Sequence, residues 1–196
     1  MAIVFSLLAS CSSIPKTDST PIKSPSVELR HQQVLAIQDW TISGKIAFIQ
    51  GDTRESPSIH WQVMQSKKQQ QLDLTTYLGI NVLHLSSLNN HHTLTVDGKT
   101  YRNDNLDALI TSLTGFQLPT TALRLWIKGL PYQKEDVVTY DSKNNLPVTL
   151  VSHYKNKRWQ IRYDNYQLIK NTFLPTTITI TEGDLLIKIA IKKWVI

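Results

Sequence analysis

The chain has 196 residues, of which 41% are hydrophobic and 18% charged, enough apolar material for one domain with its own core and too much for a disordered tail. Its single cysteine, Cys11, excludes an intramolecular disulfide and a thiolate cluster holding a metal. A formal charge of +6 favours anionic company, whether phospholipid headgroups, nucleic acid or an acidic protein.

Met1 to Leu8 is an apolar run, followed by Leu8-Ala9-Ser10-Cys11. Small residues just ahead of a cysteine form a lipobox. They let the extended backbone enter a peptidase cleft, and the thiol takes a diacylglyceryl group before cleavage makes it the N-terminus. The pattern predicts a signal peptide over 1–10, a lipidated Cys11 with a flexible tether over 11–26, and one folded domain over 27–196. No Lys or Arg precedes the run, which is short for a secretory signal, so the natural start is expected to lie upstream. The tether is read from Ser, Thr, Pro and Lys between Ser12 and Ser26. A spanning helix needs about 20 apolar residues, and no stretch approaches that length, so the reading is of a protein anchored by lipid. Ser12, where lipoproteins retained in the inner membrane commonly carry aspartate, predicts sorting to the outer membrane.

Val27 to Ile37 reads as a helix, with Val27, Arg30, Val34 and Ile37 near helical spacing. Period-two alternation takes over at Trp40, where Trp40, Ile42, Ile46 and Phe48 share a strand face with Gly44 between them. Similar segments recur at Ile59 to Val63, Leu72 to Leu74, Leu83 to Leu85 and Thr93 to Val96, separated by polar or glycine-containing turns. Asp104 is placed to cap a helix carrying Leu106, Leu109, Ile110 and Leu113 and ended by Gly115. A second short helix is predicted from about Thr120, as its cap, to Lys128, closed by Gly129 and Pro131. Alternation resumes at Val148 to Leu150, Trp159 to Tyr163, Ile178 to Ile180 and Ile187 to Ile191. Many strands around two central helices predict a mainly β fold with α: a strongly curved, unclosed antiparallel barrel whose apolar concave face is covered by an amphipathic helical lid.

Catalytic scaffolds are missing. There is no Gly-x-Ser-x-Gly elbow, phosphate-binding glycine loop or His-Glu-x-x-His helix, and the acidic pairs Asp104/Asp107 and Glu135/Asp136 are accounted for by capping and solvated loops. No enzymatic activity, cofactor or metal is expected. Adjacent His91 and His92 would point to opposite sides of a strand and read as a polar hairpin tip with Asn89 and Asn90. Lys155, Lys157 and Arg158 beside Trp159 and Tyr163 raise nucleic-acid binding, but secretion and the alternation of these aromatics with Gln160 and Arg162 favour inward packing.

The segments Trp40-Thr41-Ile42-Ser43-Gly44-Lys45-Ile46-Ala47, Trp61-Gln62, Tyr77-Leu78-Gly79, Leu113-Thr114-Gly115, Leu125 to Pro131, and Ile187-Lys188-Ile189 with Trp194 together resemble the outer-membrane lipoprotein receptor LolB family, from the lipobox to the last strand. The resemblance implies an unclosed barrel with a helical lid around an apolar cavity. It implies a function as well: accepting lipoproteins from a LolA-like periplasmic carrier and releasing them into the inner leaflet of the outer membrane, without nucleotide or metal. The implied partners are that carrier, the acyl chains of cargo lipoproteins and outer-membrane phospholipid, with basic residues near the mouth attracting acidic or anionic groups. No nucleic acid and no stable oligomer are implied.

Strand phase then nominates Trp40, Ile42, Ile46, Phe48, Ile59, Trp61, Leu72, Leu74, Leu83 and Leu85 for the cavity wall, and helix phase nominates Leu109, Leu113, Leu123 and Trp126 from the lid. Pattern alone makes Thr75-Thr76-Tyr77-Leu78-Gly79 a packed hairpin corner. The resemblance instead implies that Leu78 is exposed on a protruding membrane-insertion loop, with Tyr77 where the family often has proline. The residues by themselves leave open a lipoprotein that binds another lipid, a glycolipid or a peptide, or a structural anchor of the envelope.

Overall fold

The computed structural model describes residues 25–196; the signal peptide, Cys11 and nearly all of the tether lie outside the described residues. Helix α1 (Val27–Leu35) is capped by Ser26, whose hydroxyl accepts the Leu29 N–H at 3.2 Å. It stops short of the predicted Ile37, whose carbonyl instead accepts the Lys128 ammonium at 2.8 Å.

Arg30 sits on the apolar side of α1 and is 2% exposed. A buried guanidinium must find acceptors. Here they are the carbonyls of Lys128 at 2.9 Å and Gly129 at 3.3 Å, with Phe173 at 3.3 Å and the Tyr166 ring at 5.7 Å. Gly129 has φ +75°, and a Cβ there would come 3.0 Å from the Arg30 guanidinium, so both its turn and its neighbour call for glycine.

The strands are β1 (Asp39–Gln50), β2 (Thr53–Glu55), β3 (Ser58–Met64), β4 (Gln69–Thr75), β5 (Asn81–Leu88), β6 (His91–Val96) and β7 (Lys99–Asn103) before the lid. The lid is α2 (Leu106–Thr114) and α3 (Thr120–Trp126), and β8 (Val137–Tyr140), β9 (Pro147–Tyr154), β10 (Lys157–Ile169), β11 (Thr172–Glu182) and β12 (Leu185–Val195) follow it. They form one 12-stranded antiparallel sheet in the order β7-β6-β5-β4-β3-β1-β12-β11-β10-β9-β8, with β2 on β1. The edge strands β7 and β8 do not pair, so the barrel is unclosed, as expected from the sequence. Turns at Asn89-Asn90, Asp97-Gly98, Lys155-Asn156 and Lys170-Asn171 place both residues at positive φ, the backbone that suits a two-residue hairpin.

Within the sheet, inward residues alternate with wet ones. On β10, Trp159, Ile161 and Tyr163 are buried while Arg158, Gln160 and Arg162 are exposed. Gly44 lies at a register shift where β1 meets β12, and a Cβ there would stand 2.1 Å from the Ala190 carbonyl oxygen.

The caps differ from expectation. Asn105, not Asp104, caps α2 by accepting the Ala108 N–H at 3.0 Å, one residue later than expected, while Asp104 meets His91 at 2.7 Å. Thr120 is the first residue of α3 and not its cap; its hydroxyl donates to Asp107 at 2.6 Å. The helix itself ends at Trp126, two residues before Lys128.

Lys128 is buried, and burial, with Arg124 adding repulsion, lowers its pKa from 10.5 to about 8. Below pH 8 the native state carries the cost of the charge. Between pH 8 and 10 the unfolded chain holds more protons than the native one, so stability rises with pH. Urea unfolding of the wild type against Lys128→Met is expected to show the wild type gaining about 2 kcal/mol on the variant across that window; a constant difference would contradict it.

Candidate functional site

Between the sheet and the lid lies an apolar hollow of about 90 Å³. From the N-terminal half of the sheet it is walled by Ile46 and Phe48 of β1, Ile59 and Trp61 of β3, Leu72 and Leu74 of β4 and Leu85 of β5, and Leu123 closes it from α3. These positions share a face because strand side chains alternate and β1, β3, β4 and β5 pair in register: Ile59 opposite Leu74, Trp61 opposite Leu72, Leu72 opposite Leu85.

The remaining nominated residues do not line the hollow. Trp40 and Ile42 lie farther along β1 in the main core, where the Trp40 ring meets Trp61 at 5.0 Å and Trp194 at 5.7 Å. Trp126 is fully buried against Trp159, ring centres 5.8 Å apart. Leu109 belongs to a separate cluster with Leu85, Leu94 and Leu106, against which Leu83 and Leu113 pack.

Sequence phase did not nominate Ile180 of β11 and Ile187 and Ile189 of β12, which also line the hollow, nor Leu106, Ile110, Leu118 and Ile127 from the lid side. The signal was present, since all but Leu118 and Ile127 lie in segments read correctly as strand or helix. What was missing was knowledge that β12 neighbours β1.

Two polar side chains reach the wall, Thr120 and Gln70. Gln70, 7% exposed, accepts the Trp61 indole N–H at 3.4 Å and donates to the Ser87 hydroxyl at 3.3 Å, and Ser87 lies 2.7 Å from His92 Nδ1. Burial lowers the His92 pKa, favouring a neutral ring. His91 turns away to Asp104, so the adjacent histidines serve separate bonds.

The β4–β5 connection is a short reverse turn. The Thr76 N–H donates to the Ile80 carbonyl at 2.9 Å, the Gly79 N–H donates to the Thr76 carbonyl at 3.0 Å, and the Thr76 hydroxyl accepts the Ile80 N–H at 3.2 Å. Gly79 has φ +81°, a left-handed conformation that closes the turn without steric cost. The turn holds Tyr77, Leu78 and Ile80 out to solvent, at 86%, 67% and 62% exposure. Three large apolar side chains exposed together on one turn form a cluster, unlike the singly scattered apolar residues of an ordinary surface.

A family model described as outer membrane lipoprotein LolB matches residues 38–194. The outer-membrane lipoprotein LolB of Psychromonas ingrahamii is 34% identical over 192 residues, covering 97% of this chain and 91% of that one. The LolB of Pseudoalteromonas translucida is 31% identical over 194 residues, covering 99% and 92%. Among solved structures, a LolA superfamily protein from Nitrosomonas europaea shares the fold at a TM-score of 0.55 and 8% identity, over 87% of this chain and 93% of that one.

Proposed function

Because this chain belongs to the LolB family of outer-membrane lipoproteins, we propose that it is the receptor that takes lipoproteins from a LolA-like carrier into its apolar hollow and inserts them into the inner leaflet of the outer membrane. Lipid on Cys11 holds it on that membrane facing the periplasm, and it works as a monomer. The family serves lipoprotein localization at the outer membrane, and the reading asks for no bond-making chemistry, nucleotide or metal.

The observation that carries this reading is an apolar hollow between sheet and lid on a domain that also presents an exposed apolar turn. Acyl chains moved through water cost about 0.8 kcal/mol per methylene, so transfer runs from one apolar container to another and then to the bilayer. The hollow holds about 90 Å³, whereas ligand pockets usually offer about 300–1,000 Å³. The lid must therefore move outward as cargo enters. α3 is pinned at its C-terminal end, where Tyr163 donates to the Trp126 carbonyl at 2.9 Å and Arg30 holds the next carbonyls. α2 is tied through Asp107 to Lys155 at 2.9 Å and to Thr120 and packs Leu106 and Leu109 on Leu85 and Leu94 of the sheet, so outward movement of the lid parts that leucine contact.

The test is solution transfer. Carrier loaded with labelled lipoprotein is mixed with the full chain bearing Cys11→Ala, and the label is located. Cargo is expected to pass without nucleotide, and Leu72→Trp, which fills the hollow, is expected to cut uptake at least about tenfold with the fold intact. Cargo that stayed on an active carrier in the presence of the folded wild-type domain would overturn the proposal.

A further inference from the structure

The hollow continues into polar territory. At its Gln70 end it adjoins an open cleft of about 650 Å³, and the two share Gln70, Leu106 and Thr120. Gln65 and Lys68 of the β3–β4 connection and Gln69 at the start of β4 face the cleft, with Asn90 of the β5–β6 turn and Arg124 of α3.

Its charges are unevenly matched. Asp107 is taken by Lys155 at 2.9 Å and Asp104 by His91 at 2.7 Å, whereas neither Lys68 nor Arg124 enters any ion pair among the described residues. Arg124 is half-buried, and that burial lowers its pKa.

Direction matters too. β4 runs from Gln69 at the cleft to Thr75 at the Tyr77-Leu78 turn, so the cleft and the exposed apolar turn lie at opposite ends of the hollow. Gln70 and Leu74 are about 13 Å apart along the strand at the usual rise.

We propose that this cleft is the subsite for the polypeptide stem of the cargo, the first few residues after its lipidated cysteine, with Arg124 and Lys68 binding stem carbonyls or an acidic side chain. The inference rests on acyl chains occupying the hollow. A lipoprotein changes from apolar to polar at one residue, because its acyl groups and its polypeptide both leave from the modified cysteine. Wherever the acyl chains are buried, the stem must depart across the nearest polar opening, and a buried amide at the junction marks the change of environment. Cargo so bound has its acyl chains directed toward the Leu78 turn and its polypeptide toward water.

Two probes test this on the full chain bearing Cys11→Ala: tripalmitoylated cysteine amide, and the same lipid continued as Ser-Asp-Asp-Asn, with binding read by tryptophan fluorescence. The stem-bearing probe is expected to bind about tenfold tighter. Arg124→Gln combined with Lys68→Gln is expected to erase that advantage while affinity for the stemless probe stays within about twofold, which also shows the fold intact. Equal affinity for both probes in the wild type would overturn the stem subsite and leave the acyl hollow standing, whereas binding of neither would overturn both. Weaker binding of the double variant to phosphatidylglycerol vesicles, with the stem advantage unchanged, would make the cleft a headgroup site and overturn the proposal.

Discussion

With Leu78 replaced by glutamate, the protein is expected to accept cargo from the carrier as the wild type does and to deliver it to bilayers at least about tenfold more slowly. Leu78 is 67% exposed and lies outside the core clusters, so the substitution removes little that holds the domain together. Burying a leucine in an apolar phase is worth about 1.5–3 kcal/mol, and tenfold corresponds to about 1.4 kcal/mol; a carboxylate in its place adds a charge the bilayer interior rejects. The turn can exert this effect because the hydrogen bonds between Thr76 and Ile80 fix its shape, supplying by bonding the order that proline would give at Tyr77. Uptake and insertion are separated by following a fluorescent lipoprotein first from carrier to receptor and then from receptor to liposomes. Impaired uptake with normal insertion would remove Leu78 from the delivery step.

Gly44→Ala is expected to destabilise the domain by about 3 kcal/mol, the upper part of the range for overpacked sites. Most glycine substitutions in a strand are tolerated or favourable, since alanine restricts the unfolded chain. Here the added methyl would lie 2.1 Å from a backbone carbonyl oxygen, and no rotamer change can relieve a clash between backbone and Cβ. Either β1 or β12 must move, and these strands join the two halves of the sheet. Urea unfolding measures the effect directly, and a midpoint unchanged from wild type would show that the seam yields without cost.

Much of the sheet was legible because one of its faces is dry. Trp159, Ile161 and Tyr163 announce β10 by alternating with charge, and β12 does the same with isoleucines and lysines. β7 gives no such signal, since Lys99 to Asn103 are exposed throughout, and hydrogen bonding to β6 alone defines it. The hollow was half legible for a related reason. Phase tells which side of a strand is buried, but whether a buried residue meets another side chain or a void depends on where the lid rests, so Trp40 went to the tryptophan cluster and Ile187 to the wall. The cap of α2 was ambiguous in the sequence because Asp104 and Asn105 are adjacent and both residue types cap helices well; the helix takes the second. Arg30 fitted the apolar spacing of α1 by position, yet nothing local indicates that carbonyls at the end of α3 receive it.

The order of strands also sets the order of events in folding. Every neighbouring pair on the main path of the sheet joins strands adjacent or nearly adjacent in sequence except β1 with β12, where Thr41 meets Val195. Hairpins of that local kind assemble quickly, whereas a contact spanning almost the whole domain must wait for its loop-closure entropy to be overcome. Until that seam closes, β1 and β12, the latter already paired to β11 as a local hairpin, each present an unpaired edge, and an unpaired edge is a template for association with another chain. The domain is thus most exposed to misassembly in the interval before its two halves meet, and the pairing of β1 with β12 ends that interval by covering both edges at once.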